Sequence, residues 1–257
     1  MTVESKRDNT EKTETNMAVN TATEAINTNA NTNTNSIDTA DFVRWDNFGD
    51  GYIAATTPLE CPDPLTMQTP VDLTKVINIL YPGQKRGGDF KPHGGFRFAD
   101  GTEEEIPVTI PMDARLYEGV RYIEGGYLQY MFGFLNSCGV MYRFDHLAGL
   151  SDKLQAIADT LPEAKVGDTR TYQFGEAVQF TTGEQIAMAV GEGDNVFVDW
   201  GVYDIRQKNG VTIDDEIDTL AEYGVCWFGL LNNEDEATVR SLPAGDSTSG
   251  AYSEYCL

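Results

Sequence analysis

Between Gly87 and Gly210 one pattern repeats. Short runs that alternate apolar and polar residues, or gather aromatics, are each closed by glycine. The runs include "GGFRFAD", "IPVTIPM", "ARLYEGVRYIEGGYLQYMFGFL" and "VMYRFDHL", then "TRTYQF", "AVQFTTGEQIAMAVG" and "NVFVDWGVYDI". A period of two sends successive side chains to opposite faces of an extended strand. Glycine between runs permits tight corners. "EGG" at 124–126 predicts a hairpin turn. The rhythm predicts a mostly β fold, an antiparallel small barrel or sandwich. One helix interrupts it at 150–161, "LSDKLQAIADTL". Ser151 is a suitable N-cap, Leu154, Ile157, Ala158 and Leu161 share one face, and Pro162 follows the end.

The flanks differ in texture. Residues 1–41 are rich in Thr, Asn, Glu and Ala and hold no aromatic residue, which predicts a disordered, dispensable tail. Residues 42–84 read as a linking segment, with a short helix or irregular piece in "TPVDLTKVINILYPG". Residues 85–210 form the β domain. Residues 211–257 read as a C-terminal extension packed on that domain, with a short helix at 234–241.

Composition narrows the function classes. The formal net charge of −23 repels nucleic acid and anionic membranes. The longest uncharged stretch, 127–142, is shorter than the roughly 20 apolar residues a span needs, so the chain is not expected to span a membrane. No signal-peptide pattern is visible in the first 20 residues. Four cysteines, Cys61, Cys138, Cys226 and Cys256, contain no C-x-x-C spacing. Cys256 lies in a polar terminal segment, where a crosslink to Cys226 gives it a purpose; Cys61 and Cys138 are the remaining pair. In the loop-entropy view the first bridge adds ~3–4 kcal/mol.

The chain has two histidines, His93 and His146. Taken alone, His93 reads as a turn residue after Pro92 and His146 as a structural histidine within a strand. Asp199 and Asp204 differ by five positions, so a strand sends them to opposite faces, against a two-carboxylate glycosidase. Nothing places Cys138 beside His146 as a thiol and base. The glycines of "GEGDNVFVDWG" precede a strand where phosphate loops need a helix.

Residues 90–206 resemble the lysostaphin-type (LytM-like) zinc endopeptidases, which cut peptide crosslinks in bacterial cell walls. "PHGGFRFAD" resembles the family's H-x-G-x-D motif and "IPVTIPMDARLYEG" its next strand pair. "YRFDHLAGL" resembles its Y-x-H-L segment and "TTGEQIAMAVG" its glycine-bounded hairpin. "VFVDWGVYDIR" falls where the family carries H-x-H. The resemblance implies the duplicated hybrid motif kind of β fold. It also implies degeneracy. His93 matches the first zinc ligand, but Arg97 stands at the aspartate ligand and Gly201 at the histidine ligand. The two non-ligand histidines fall on His146, which is kept, and on Asp199. A catalytic zinc needs three protein ligands, so no cofactor is expected, with zinc as the alternative.

From this follows an extracellular or envelope protein that binds or regulates at a cell-wall peptide or glycan surface without zinc catalysis. The alternatives are an active metallopeptidase with unrecognised ligands and a structural secreted domain. His93, Arg97, Asp145, His146, Asp199 and Tyr203 are the expected binding residues; His93, His146 and Asp199 are the catalytic candidates. Arg97 is expected to fill the former zinc position and pair with Asp199.

Overall fold

The structure, a computed structural model, describes residues 43–48, 51–175, 178–191, 193, 195–211 and 219–256. The tail expected over 1–41 lies outside them. A short hairpin of β1 (Trp45–Asn47) and β2 (Tyr52–Ala54) comes first, then a 3-10 turn at Leu73–Lys75. β3 (Asn78–Leu80) is followed by the hairpin of β4 (Gln84–Arg86) and β5 (Asp89–Lys91), then β6 (Gly94–Arg97) and β7 (Val108–Thr109). Three long strands follow: β8 (Ala114–Glu124), β9 (Tyr127–Leu135) and β10 (Val140–Leu150). After α1 (Asp152–Ala158) come β11 (Tyr172–Gln173), β12 (Gln179–Phe180), β13 (Gln185–Val190) and β14 (Phe197–Asp204), and late in the chain α2 (Asn233–Ser241).

The fold is mostly β. Its main sheet runs β11-β8-β9-β10-β14-β6-β3, with β12 on β8, and β13 joining β10 to β7. All of these strand pairs are antiparallel. The β8–β9 hairpin turns at Gly125 and Gly126, whose φ angles of 59° and 92° suit glycine, and Glu124 pairs with Tyr127 across it. Ser151 caps α1, its side chain accepting from the Leu154 N–H. Asn232 does the same for α2, accepting from the N–H groups of Glu234 and Asp235.

Strand parity sorts the two faces. On β14, Val198, Trp200 and Val202 enter the main core, where Trp200 stacks between Phe96 and Phe144. Each such fully buried large side chain stabilises by about 2–3 kcal/mol relative to exposure. Phe197, Asp199, Gly201 and Tyr203 alternate onto the other face. There a second cluster around Trp45, Met141, Tyr203 and Tyr223 covers one end of the strand.

Both expected disulfides are present, Cys61–Cys138 and Cys226–Cys256. The second holds the terminal segment against β4. The Tyr255 ring lies over Gly83 and Gly224, and its hydroxyl donates to the Ala221 carbonyl at 2.6 Å. Gln84 donates to the Gly250 carbonyl at 2.7 Å, and Ser253 to that of Pro82. Among the described residues no helix is long and apolar enough to cross a membrane.

Replacing Cys226 and Cys256 by serine should cost about 3–4 kcal/mol, since the bridge closes a loop of 30 residues. Denaturant unfolding of the non-reduced protein and the double variant measures it. An unchanged midpoint would show that the terminal segment is held without the bridge.

Candidate functional site

β13 and β14 lie in line along the same edge of β10. Val190 of β13 pairs with Leu147, and Asp199 of β14 pairs with Asp145. Between those two pairs, His146 has no ladder partner in either strand. On its other edge β10 carries a bulge. Three steps from Phe144 to Leu147 oppose two steps from Phe132 to Tyr130 of β9. The extra residue turns the strand, as bulges do. His146 adopts φ 63°, the one non-glycine described residue with positive φ. That conformation costs on the order of 1–3 kcal/mol and is held by two bonds. The Asp145 carboxylate accepts from the His146 N–H at 2.8 Å, and the His146 carbonyl accepts from Gly191 at 2.8 Å.

The His146 ring is oriented from behind. Its Nδ1 lies 2.6 Å from Gln129 Oε1. A carbonyl oxygen only accepts, so Nδ1 carries the hydrogen and Nε2 faces forward. Tyr122 donates to Asp145 Oδ1 at 2.5 Å. Burial, and after it the Asp145 carboxylate, pushes the Tyr122 phenol far above its ordinary value, so it remains a donor. The Phe197 ring packs on the imidazole at 4.1 Å between centroids.

His93 enters from the residue before β6. Gly94 and Gly95 allow this close approach. A Cβ on Gly95 would stand 2.5 Å from the Val198 carbonyl oxygen and 3.0 Å from Asp199 Oδ1. His93 Nε2 lies 3.0 Å from Asp199 Oδ2, and His146 Nε2 lies 3.7 Å from the same oxygen. The three side chains are 18%, 12% and 10% exposed, so the group is largely buried and meets solvent only at its edge.

Burial alone would raise the Asp199 carboxyl. The charge and hydrogen bond of His93, then His146 and Arg86, overcome it and hold the group well below the usual carboxylate range. Asp199 Oδ1 is buried without a hydrogen-bond partner among the described residues.

The site corrects two expectations. Arg97 does not pair with Asp199. Register places Arg97 opposite Phe197 and Asp199 opposite Gly95, a diagonal of about 7–8 Å. Arg97 instead donates to Asn195 Oδ1 at 2.7 Å and lies over the Phe197 ring. The guanidinium acting on Asp199 belongs to Arg86, which sequence reasoning missed. It donates to the carbonyls of Tyr81 at 2.9 Å and His93 at 3.1 Å. Its only forewarning was "KRGGDF", a hairpin pattern around Gly87-Gly88 with no bearing on chemistry. The space at Gly201 is filled by the Tyr203 ring, so Tyr203 belongs to the second cluster rather than beside the histidines. Tyr122 and Gln129 were also missed; only the bulge brings them to His146.

The ligand set that the resemblance implies is not assembled. Of its three positions, Arg97 is a cation, Gly201 has no side chain, and His93 is engaged by Asp199. Among the described residues no group of three His, Cys, Asp or Glu is arranged to hold a metal ion.

No family model matches the chain, and no curated protein matches it. Among solved structures it is similar to Helicobacter pylori Csd3 in an orthorhombic crystal, at 10% identity and a TM-score of 0.38. The match covers 77% of this chain and 45% of that one, less than half of its length. A likeness at this level carries no argument about the site, whose reading rests on its own geometry.

Two predictions follow from the geometry. Above the ordinary carboxylate value of 3.8, Asp199 is ionised whether the chain is folded or unfolded, and its full stabilising contribution is present. As pH falls below 3.8 towards the lower folded value, the unfolded chain protonates first and that contribution is lost. Thermal midpoints across this range should fall less steeply for Asp199→Asn than for the wild type; equal slopes would contradict the assignment. Arg86→Met should cost about 1–3 kcal/mol, because two buried carbonyls lose their donor. Arg97→Met should cost about 1 kcal/mol or less. Chemical denaturation of both variants compares them, and the reverse order would return Arg97 to the centre of the site.

Proposed function

We propose that this is an extracytoplasmic protein with a degenerate lysostaphin-type domain, which binds a cell-wall peptide or glycan at the His93–His146–Asp199 group without zinc catalysis. One observation carries the reading. The resemblance maps three separate segments onto the family's site, and in the fold those segments bring His93 and His146 to one carboxylate oxygen of Asp199. Convergence of residues 53 and 106 positions apart is not required by their motifs one at a time.

The chemistry suits binding. Two imidazoles and a carboxylate gather donors and acceptors at one partly exposed point, and the exposed Glu124 carboxylate lies 3.8 Å from His146 Nδ1. Peptide and amino-sugar amides offer donors and acceptors that such groups read. The two disulfides fit an oxidising compartment and support the assignment outside the cytoplasm. The buried, unpartnered Asp199 Oδ1 favours a second reading, a metallopeptidase with ligands drawn from outside the family's set.

Sedimentation with purified peptidoglycan, beside elemental analysis for zinc, tests both. The protein should pellet with the sacculi, Asp199→Ala should reduce the bound fraction, and zinc should be substoichiometric. Stoichiometric, tightly held zinc with release of soluble peptides would establish the metallopeptidase instead. No pelleting would remove the cell-wall reading.

A further inference from the structure

We propose that Arg97 is a recognition subsite for a free carboxylate, so that the site selects peptides ending in an unblocked C-terminus. This deepens the reading given under Proposed function and rests on it.

The first argument is the state of the guanidinium. Seven Lys and Arg side chains of the described residues are held by an Asp or Glu within 4 Å. Arg97 is not among them. Its Nη2 donates to the amide oxygen of Asn195, and Nε and Nη1 make no hydrogen bond among the described residues. A planar fork with donors unused among the described residues, partly exposed on the His93–Asp199 side of β6, matches a carboxylate in geometry and charge. Arg86, the other guanidinium of the site, is committed to backbone carbonyls.

The second argument is preorganisation. The Arg97 fork lies 5.6 Å from the centroid of the Phe197 ring, and its stem packs where Gly245 has no side chain. Asn195 fixes one nitrogen at 2.7 Å. A ligand therefore meets a guanidinium whose freedom is already restricted, which reduces the entropic cost of binding.

The third argument is position. Arg97 lies on the same face of β6 as Gly95, two residues along, which is roughly 6.6 Å. A terminal carboxylate on Arg97 would thus bring the preceding peptide unit towards His93 and Asp199. Glu124, 52% exposed and 3.8 Å from His146 Nδ1, repels a carboxylate, which leaves Arg97 as the point that receives one. The net charge of −23 opposes anions at long range, but exposed charges more than about 8 Å away are largely screened at physiological salt.

Calorimetric titration of the full chain with N-acetyl-D-alanyl-D-alanine and with its C-terminal amide tests the subsite. The free acid should bind at least about tenfold tighter, the expected size for a charge-assisted hydrogen bond. Arg97→Gln should bind acid and amide alike. Arg97→Lys should keep part of the preference, having charge without the fork. Unchanged near-ultraviolet circular dichroism of the variants confirms their folding. Equal binding of acid and amide by the wild type overturns the subsite, as does a preference that survives in Arg97→Gln. Binding to sacculi without binding of either probe overturns the subsite alone and leaves the cell-wall reading standing. Acid-selective binding without sacculus binding supports the subsite and removes the cell-wall reading.

Discussion

A carboxylate buried against two imidazoles is the constraint around which this end of the fold is organised. Removed from water, the Asp199 charge is tolerable only because His93, His146 and Arg86 act on it together. Each partner needs a separate backbone device. His93 needs the glycine pair that lets β6 close on β14. His146 needs the bulge in β10 and a left-handed backbone. Arg86 needs the β4–β5 hairpin, which the terminal segment holds down through Gln84, Ser253 and Tyr255.

This chain of support gives the Cys226–Cys256 bridge a place in the site's architecture. The bridge fixes the terminal segment, the segment braces β4, and β4 carries the guanidinium that grips the His93 carbonyl. The other end of β14 is closed differently, by the apolar cluster around Tyr203. One face of a single strand therefore changes from an apolar cluster to a polar, charged group between Tyr203 and Asp199. Gly201 marks the boundary, since its missing side chain gives the Tyr203 ring room to lie down.

The β character, the β8–β9 turn, the cap of α1, the second helix and both cysteine pairings were legible because each follows from a local rule: period two, paired glycines, a serine before a helix, a cysteine in a polar terminus. That His93, His146 and Asp199 share one place came from the order of weakly matching segments, not from any one of them. The Arg97–Asp199 pairing failed because it assumed a register. The register does set both residues on one face, but a two-residue offset along the ladder leaves Arg97 beside Asn195 and Phe197. Arg86, Gln129 and Tyr122 had no sequence signal, because a bulge and a braced hairpin bring them to the site, and neither is written in residue spacing. β3 shows a similar limit. "VINIL" lies in a stretch without clear alternation, yet Ile79 pairs with Phe96 and is fully buried.

With only two histidines, the protein offers a clean spectroscopic view of this centre. Selective 15N labelling of histidine yields two imidazole spin systems, whose nitrogen shifts report tautomer and hydrogen bonding. If Asp199 organises both rings, Asp199→Asn should move the Nε2 resonances of both His93 and His146, while His146 Nδ1 keeps its hydrogen through Gln129. Two spectra that superimpose, or a shift confined to one ring, would contradict a shared carboxylate and with it the account of the site.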